Sequence, residues 1–598
     1  MNYEFNDSTI QRSSVISHRS SVISHQSSNK PYMKKKLVSI IILLLVFSCK
    51  TKQETPIAKK HLQTQKAMVV SAHPWASKVG KEIMQQGGNA VDAMVATQFA
   101  LAVVYPRAGN LGGGGFMIIR LPNGEATAVD YREMAPKKAH KNLYLDSLGN
   151  VIPELSTYGG LAVGVPGTVA GMHAVWQKYG KIKDWKTLIA PAMALAKNGF
   201  EISKAEAYRL NKYQKSFIKY NPDNKVFVKN NKWQAGDLLV QKELAKTLQI
   251  IADKGPKGFY EGKIAQALVN KVTQSGGIIS LEDLANYQAK FRKPITVNYR
   301  GYDVISMPPP SSGGIALGQL LKIVEKYNLK EMGFHSLKTI QLMVEAEKRV
   351  FADRAKYLGD SDFYPVPIDS LLNNEYLLNR MADFSFEKAT ISDSILQGKA
   401  TLLKESFETT HTSIVDPDGM ATSCTTTLNS NFGSKVIVDS YGFFLNNEMD
   451  DFSAKPGVAN QFGLVGAKAN AIAPKKRMLS SMTPTIVAKG GKVFLIAGTP
   501  GGSTIITSVF QIVVNTIDYD MNIYDAVQAK RFHHQFLPDQ IMIEKDAFST
   551  EIIDSLKHKN YQIKNVKALG YVKAILVKNE MIYGSGDERN MDDAVAGY

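Results

Sequence analysis

A threonine hydroxyl is a weak nucleophile inside a chain. It is a strong one at a chain's N-terminus, where the residue's own α-amine takes the hydroxyl proton. The segment Glu408-Thr409-Thr410-His411-Thr412-Ser413-Ile414-Val415-Asp416 sets a threonine pair between a polar run and a strand-like stretch. Cleavage between Glu408 and Thr409 would give Thr409 that amine. Such a nucleophile needs a place for the developing oxyanion. Thr499-Pro500-Gly501-Gly502-Ser503 joins the apolar strand Val493–Ala497 to a helix running from Thr504 to Thr516. Backbone N–H groups at that corner point outward and gain from the helix dipole. This suits an oxyanion hole, although a plain strand-to-helix turn has the same sequence.

Charged groups follow the same logic. Asn446-Asn447-Glu448-Met449-Asp450-Asp451-Phe452 packs three carboxylates beside two amides. It fits a metal, an ammonium group or a solvated acidic loop. A metal lacks a convergent histidine set: His533 and His534 are adjacent, and in extended structure they point to opposite faces as structural residues. Ser480 and Ser481, in Met478-Leu479-Ser480-Ser481-Met482-Thr483-Pro484, offer two hydroxyls to a carboxylate or serve turn chemistry. Arg132, in Asp130-Tyr131-Arg132-Glu133-Met134-Ala135-Pro136, offers a planar fork to a carboxylate or pairs with Glu133. Taken together these segments describe a site for a zwitterion: Arg132 with Ser480 and Ser481 for its carboxylate, acids near Asp451 for its ammonium, Thr409 to attack, Gly501 and Gly502 for the oxyanion.

The elements that must position these groups alternate between strand and helix, which gives an α/β (α+β) class with stacked layers. Met68–Ala72 reads as a strand, Ala76–Gln86 as a helix stopped by Gly87-Gly88, and Asn89 caps a helix over Ala90–Val104. Phe116–Arg120 and Thr127–Tyr131 read as a hairpin turned by Pro122-Asn123-Gly124. Ser336 caps a long amphipathic helix, Leu337–Tyr357, carrying Glu345, Glu347, Lys348, Arg349, Asp353 and Arg354. Gly109-Asn110-Leu111-Gly112-Gly113-Gly114-Gly115 leads into a strand instead of opening a helix, so it fails as a dinucleotide fingerprint. No P-loop motif is present. The run reads as a turn that lets two backbones approach closely.

At 598 residues, 44% hydrophobic and 21% charged, the chain exceeds one ordinary domain and has ample core material. Its net charge of +18 is spread over scattered lysines, with no basic and aromatic interleaving that would mark a nucleic-acid partner. Two cysteines, Cys49 and Cys424, exclude a disulfide framework and a cysteine zinc site. Lys34-Lys35-Lys36 precedes a run from Leu37 to Phe47 that is apolar except for Ser39, followed by Ser48 and Cys49. This is the plan of an export signal, and Val46-Phe47-Ser48-Cys49 resembles a bacterial lipoprotein signal with Cys49 as the lipidated residue. Residues before Met33, where Arg12-Ser13-Ser14-Val15-Ile16-Ser17-His18 recurs as Arg19–His25, read as a low-complexity extension. The expected organisation is therefore an extension and signal over residues 1–48, a tether over 49–66, and a body from 67 on. The expected location is exported, periplasmic or cell-envelope, and membrane-anchored through Cys49.

The ordered set Gly87–Ala93, Gly109–Phe116, Asp130–Pro136, Thr409–Asp416, Asn446–Ser453, Leu479–Pro484 and Pro500–Ser503 resembles the γ-glutamyltranspeptidases (glutathione hydrolases) of bacterial type. The resemblance runs from about Val69 to Tyr598. It implies an N-terminal-nucleophile hydrolase, a four-layer αββα sandwich. It implies a precursor that cuts itself into a large subunit, 67–408, and a small catalytic subunit, 409–598, which stay together as a heterodimer. Carried over residue by residue, it makes Thr409 the nucleophile of both cleavage and turnover, with Thr427 hydrogen-bonded to it. Arg132, Ser480 and Ser481 would bind the α-carboxylate of a γ-glutamyl group, Asn429, Glu448 and Asp451 its amine, and Gly501 and Gly502 the oxyanion. The substrates implied are glutathione and related γ-glutamyl compounds, the acceptors water, amino acids or dipeptides, and no cofactor is required. Glu448 stands where bacterial members often have Gln. In the lid segment, Pro456–Ala467, Phe462 replaces a Tyr that in some bacterial members bonds the residue matching Asn429. Two relatives share the machinery, a class IV cephalosporin acylase and a poly-γ-glutamate depolymerase. A glutaryl acylase has no ammonium to bind, so Asp451 and Glu448 favour a glutamyl amine. An inactive surface lipoprotein would have no use for the whole set.

Overall fold

Residue alternation along the strands decides the layering. In Met68-Val69-Val70, Met68 and Val70 point one way into one apolar cluster and Val69 the other way into a second. Phe116 and Ile118 alternate with Met117 and Ile119 in the same manner, and Val493 and Ile496 with Leu495 and Ala497. Strands that are apolar on both faces must be covered on both faces. The computed structural model describes residues 55–395 and 409–598. The strands of its two large sheets, numbered along the chain, are β1 (His61–Thr64), β2 (Met68–Ser71), β3 (Gly114–Arg120), β4 (Ala126–Asp130), β5 (Lys290–Arg292), β6 (Ile295–Tyr299) and β7 (Tyr302–Ser306). They continue with β8 (Thr409–Val415), β9 (Ala421–Thr427), β10 (Thr485–Lys489), β11 (Lys492–Gly498), β12 (Lys573–Lys578), β13 (Met581–Gly586) and β14 (Ala594–Gly597).

These form two seven-stranded sheets, ordered β1-β13-β12-β11-β10-β7-β6 and β14-β2-β8-β9-β3-β4-β5. Every ladder in both is antiparallel. The sheets face each other across a core of Met68, Val70, Phe116, Ile118, Ile486, Ile496 and Ile575. On the outer face of the second sheet lie α1 (Pro74–Gln85) and α2 (Ala90–Val104); on that of the first lie α3 (Gly313–Val324), α4 (Leu337–Tyr357) and α5 (Thr504–Ile517). The layers run helix, sheet, sheet, helix, as the resemblance implied.

Local signals held where they had a mechanism. Asn89 accepts from the N–H groups of Val91 and Asp92, and Asp92 accepts from Asn89 in return, a reciprocal cap that fixes the start of α2. Ser336 caps α4 through the Thr339 N–H. The turn at 122–124 closes with Gly124 N–H donating to Leu121 O at 3.0 Å. The glycine run does bring backbones together: a Cβ on Gly113 would stand 2.1 Å from Thr427 O, and one on Gly115 2.5 Å from Thr425 O.

Two expectations need correction. The tether expected over 49–66 does not reach that far: His61–Thr64 pairs with β13 as an edge strand, and Lys60 O accepts from Gly586 N–H. A short polar strand gives no apolar alternation to read. Helix α4 is not amphipathic with a wet charged side: every residue from Thr339 to Arg354 is buried. Several of its charges are paired directly, Arg349 with Glu345 at 2.6 Å and Asp383 at 2.5 Å, Lys348 with Asp539 at 3.0 Å. Residues 1–54 and 396–408, which carry the export signal, Cys49 and Glu408, lie outside the described residues.

Candidate active site

Thr409 is the first residue of β8, a central strand whose neighbours are β2 and β9. Being in the ladder fixes its direction, and only 8% of it is exposed. Thr427, the last residue of β9, is its cross-strand partner. The Thr427 hydroxyl accepts the Asn429 N–H at 2.7 Å. Asn429 has φ = 71°, a left-handed conformation that Asn tolerates better than most residues; its amide donates to Asn447 O at 3.0 Å.

Two residues along β8, His411 is buried between the sheets. Its Nδ1 lies 2.8 Å from Thr425 Oγ1 and its Nε2 3.1 Å from Ser413 Oγ. A Cβ on Gly498 would sit 2.2 Å from the His411 ring. The missing side chain at Gly498 thus lets β8 lock onto β11, the strand that feeds the glycine corner. There Gly501 (φ = 150°) and Gly502 (φ = 57°) precede α5. The Gly501 and Gly502 carbonyls accept from Thr504 and Ile505. Neither glycine's own N–H has an acceptor among the described residues.

Arg132 follows the end of β4 and is 1% exposed. Its Nη1 lies 2.5 Å from Glu448 Oε2 and its Nη2 2.5 Å from Asp451 Oδ2, with Glu133 Oε2 at 3.7 Å. Nε donates to Met478 O and Nη2 to Leu479 O, each at 3.4 Å, so the fork lies against the segment that carries Ser480 and Ser481. Burial raises the carboxyl pKa values of Glu448, Glu133 and Asp451; Arg132 opposes the rise in all three, and repulsion from neighbouring acids adds to it for Glu448 and Glu133. Asp450, the third acid of the segment, turns away: it accepts from the Ser156 hydroxyl at 2.6 Å and the Gln461 N–H at 3.2 Å.

Arg132, Thr409, Thr427, Asn429, Glu448, Asp451, Ser480, Ser481 and Gly502 line one narrow cavity of about 20 Å³, with Gly501 beside it. The sequence reading did not place Arg354, Met482, Leu464 or Ile505 there. Arg354 was visible only as one of many charges on α4. The density of charge on a helix flanked by apolar runs signals that the helix needs internal partners, but it does not single out Arg354 among those charges. A roomier cavity of about 530 Å³ lies on the other flank of the lid, among Ser156, Ser430, Asp450, Asn460 and Gln461. Neither Thr409 nor the glycine corner lines it, and its volume alone does not make it the reactive centre.

The lid closes over the narrow cavity without a tyrosine. Asn460 donates to Asp451 Oδ1 at 3.2 Å, and Ser430 donates to Gln461 Oε1 at 2.8 Å. Gln535 donates to Phe462 O at 3.3 Å. The Phe462 ring lies against Gly502, where an added Cβ would meet it at 3.0 Å.

A threonine at a strand's start, free N–H groups at a glycine corner and two facing sheets between helices define the class: an N-terminal-nucleophile hydrolase fold. A crystal structure of cephalosporin acylase from Bacillus halodurans superposes with a TM-score of 0.79 over 92% of this chain and 99% of that one; at 24% identity it speaks for the fold alone. The gamma-glutamyltranspeptidase family model matches residues 76–597, and the chain belongs to that family. It is 47% identical over 540 residues to the glutathione hydrolase proenzyme of Escherichia coli (strain K12), covering 90% of this chain and 93% of that protein. The crystal structure of Helicobacter pylori gamma-glutamyltranspeptidase is 46% identical, with a TM-score of 0.53 over 58% of this chain and 96% of that chain.

Proposed function

We propose that the chain is a self-processing γ-glutamyl transferase and hydrolase, acting on glutathione and related γ-glutamyl compounds. The observation that carries this reading is the convergence on one cavity of Thr409, two arginines, two acids and a paired-serine turn, with unspent backbone donors at its rim. Membership of a family whose curated relatives are named glutathione hydrolase proenzymes supports it.

In maturation the Thr409 hydroxyl adds to the Glu408 carbonyl. The peptide C–N bond breaks and its nitrogen takes the proton, which leaves an ester. Water hydrolyses the ester to a Glu408 carboxyl and a free Thr409. The new α-amine titrates near ~7.7–8.0, so much of it is a neutral base at working pH. In turnover that amine takes the Oγ proton while Oγ attacks the γ-carbonyl. The N–H groups of Gly501 and Gly502 hold the oxyanion, each worth roughly 3–4 kcal/mol. The amide nitrogen leaves with a proton. Water, an amino acid or a dipeptide amine then takes the acyl group from the Thr409 ester. Thr427 holds the hydroxyl's surroundings through the ladder. Arg132, Ser480 and Ser481 take the donor's α-carboxylate; Asn429, Glu448 and Asp451 take its ammonium. A cavity of about 20 Å³ has no room for that group, so Phe462 and Leu464 must withdraw to admit it. Asp451 and Glu448 disfavour a glutaryl donor, which has no amine to pair with them.

Export and a lipid anchor at Cys49 belong to the same proposal. Their support is the basic, apolar, Ser-Cys sequence over residues 34–49. A membrane-fraction assay of wild type against Cys49→Ser tests the anchor; equal solubility of both defeats it.

The central test is gel analysis of purified protein with N-terminal sequencing of the smaller band. The expected result is two fragments, the smaller beginning Thr-Thr-His-Thr, and none from Thr409→Ala. A Thr409→Ala chain that still splits there overturns the processing step. Complete processing without release from a γ-glutamyl anilide overturns the substrate.

A further inference from the structure

Arg354 ends the fifth turn of α4 with its guanidinium in the wall of the reactive cavity, and the residue is 5% exposed. Among the described residues, the arginines that are 1% exposed meet a carboxylate directly: Arg132 meets Glu448, Arg349 meets Glu345, Arg477 meets Asp130 and Arg531 meets Asp587, at 2.5–2.8 Å; Arg120, 4% exposed and outside the cavity, donates instead to Gly491 O. Arg354 has no carboxylate within ion-pair distance among the described residues. Burial pushes it down to about 10, with Asp451 the one charge that offsets this. A buried cation left without a paired anion is costly, and a cavity wall is where an incoming anion can supply the pairing.

Its hydrogen bonds say which anion and by what route. Nε donates to Ser312 Oγ at 3.0 Å and Nη2 to Ser481 Oγ at 3.1 Å. Ser312 passes the constraint on: its hydroxyl donates to Ser480 O at 2.7 Å and its N–H to the same oxygen at 2.8 Å. Ser480 Oγ accepts the Met482 N–H at 3.1 Å. In both Ser480 and Ser481 the oxygen is therefore occupied as an acceptor by the protein. Neither hydroxyl proton is spent on a protein acceptor among the described residues. Two hydroxyls held this way are donors aimed at an acceptor-only group such as a carboxylate, and a guanidinium behind one of them strengthens that donor.

We infer that Arg354 is a positioning residue for the donor's α-carboxylate: it holds Ser481 as an obligate donor, fixes the Ser480 turn through Ser312, and supplies the second positive charge beside Arg132. This rests on the reading of the cavity as a γ-glutamyl site. Lysine keeps the charge but cannot span both serines; glutamine loses the charge.

The experiment compares wild type, Arg354→Lys, Arg354→Gln, Ser481→Ala and the Arg354→Gln/Ser481→Ala double variant. Two donors are used, γ-glutamyl-p-nitroanilide and 4-aminobutanoyl-p-nitroanilide, the same acyl chain without its carboxylate. Processing on a gel is expected to be complete in both Arg354 variants. The wild-type preference for the glutamyl donor is expected to fall about 10–100-fold in Arg354→Gln, chiefly through KM, and less in Arg354→Lys. The double variant is expected to be little worse than Ser481→Ala, because the two act as one unit. Equal losses on both donors, a preference unchanged in Arg354→Gln, or failure of both Arg354 variants to process overturns the inference. A wild type with no preference for the carboxylate-bearing donor defeats the reading of the cavity itself.

Discussion

Two buried charge clusters make an instructive pair. Around the C-terminal strands, Arg531 and Arg589 face Asp587 and Glu544, two cations against two acids. Each oxygen of the two acids accepts at least one N–H: Asp587 from Arg531, Arg589 and the Val572 backbone, Glu544 from Arg589 and the Arg531 and Leu569 backbones. Burial would raise Asp587, yet its two arginines outweigh that and hold it below the ordinary carboxylate value. Around the reactive cavity, Arg132 and Arg354 face three acids, and neither oxygen of Glu133 accepts a hydrogen bond. All three acids are pushed up. The first cluster is complete in itself and serves the fold. The second carries one acid too many and two serine donors too many, the complement of an amino acid's two charged ends.

Substitutions that separate the two clusters sharpen this contrast. The largest effect is expected from Arg531→Met, which strands Asp587 in the core at a cost of about 3–5 kcal/mol. Thermal melting should show a collapse in stability or yield, with an ordinary donor KM in whatever survives. Next comes Arg132→Lys, where kcat/KM for a γ-glutamyl anilide should drop about 100-fold through loss of the two-point fork, while the melting temperature moves little. A melting loss as large as that of Arg531→Met would erase the distinction. Asp451→Asn should cost about tenfold in kcat/KM for the glutamyl donor without lowering the melting temperature, because burial outweighs the pairing with Arg132 and holds the Asp451 carboxyl above its ordinary value. A clear destabilisation would mean that Asp451 is a structural partner.

The smallest effect is in the pH dependence, and the two clusters have opposite signs. Glu448 is raised in the folded state, so between the ordinary value near ~4.3 and its raised one the folded protein binds more protons than the unfolded chain. Its contribution to stability therefore falls as pH rises through that window. Asp587 is depressed and contributes stability above its unfolded value near ~3.9, lost as pH falls below it. Relative to wild type, Glu448→Gln should melt higher at pH 7.5 by a degree or two and lose that advantage near pH 5. An advantage that grows toward acid pH would contradict the sign.

How much of this was legible in the sequence follows from what each feature depends on. Strand, glycine corner and helix over 492–517 could be read because apolar alternation, Gly501-Gly502 and the apolar helix that follows are all local. Asn89 and Ser336 could be read because capping is local. The edge strand at 61–64 could not, because a polar edge strand is defined by its partner. Arg354 could not, because α4 is buried on all sides and its charges have no distinguishing period. Arg132 and the acids near Asp451 could be assigned to one zwitterion site from their chemistry, and the separate role of Glu448 came through resemblance; that Arg132 pairs with both acids, 319 residues apart for Arg132 and Asp451, is a property of the folded chain.

The two sheets also fix the history of the molecule. Segments on either side of residue 408 alternate within them: β14 and β8 flank β2, β9 lies against β3, β13 against β1, and β10 against β7. With the cut proposed at Glu408-Thr409, the chain must knit first and be cut second. Once severed, the pieces remain bound by ladders in both layers, but the covalent path that guided the knitting is gone. Unfolding before the cut is a reversible event within one polymer. Afterwards it becomes a dispersal, and renaturation has to find two strands of different molecules in the right order in two sheets at once.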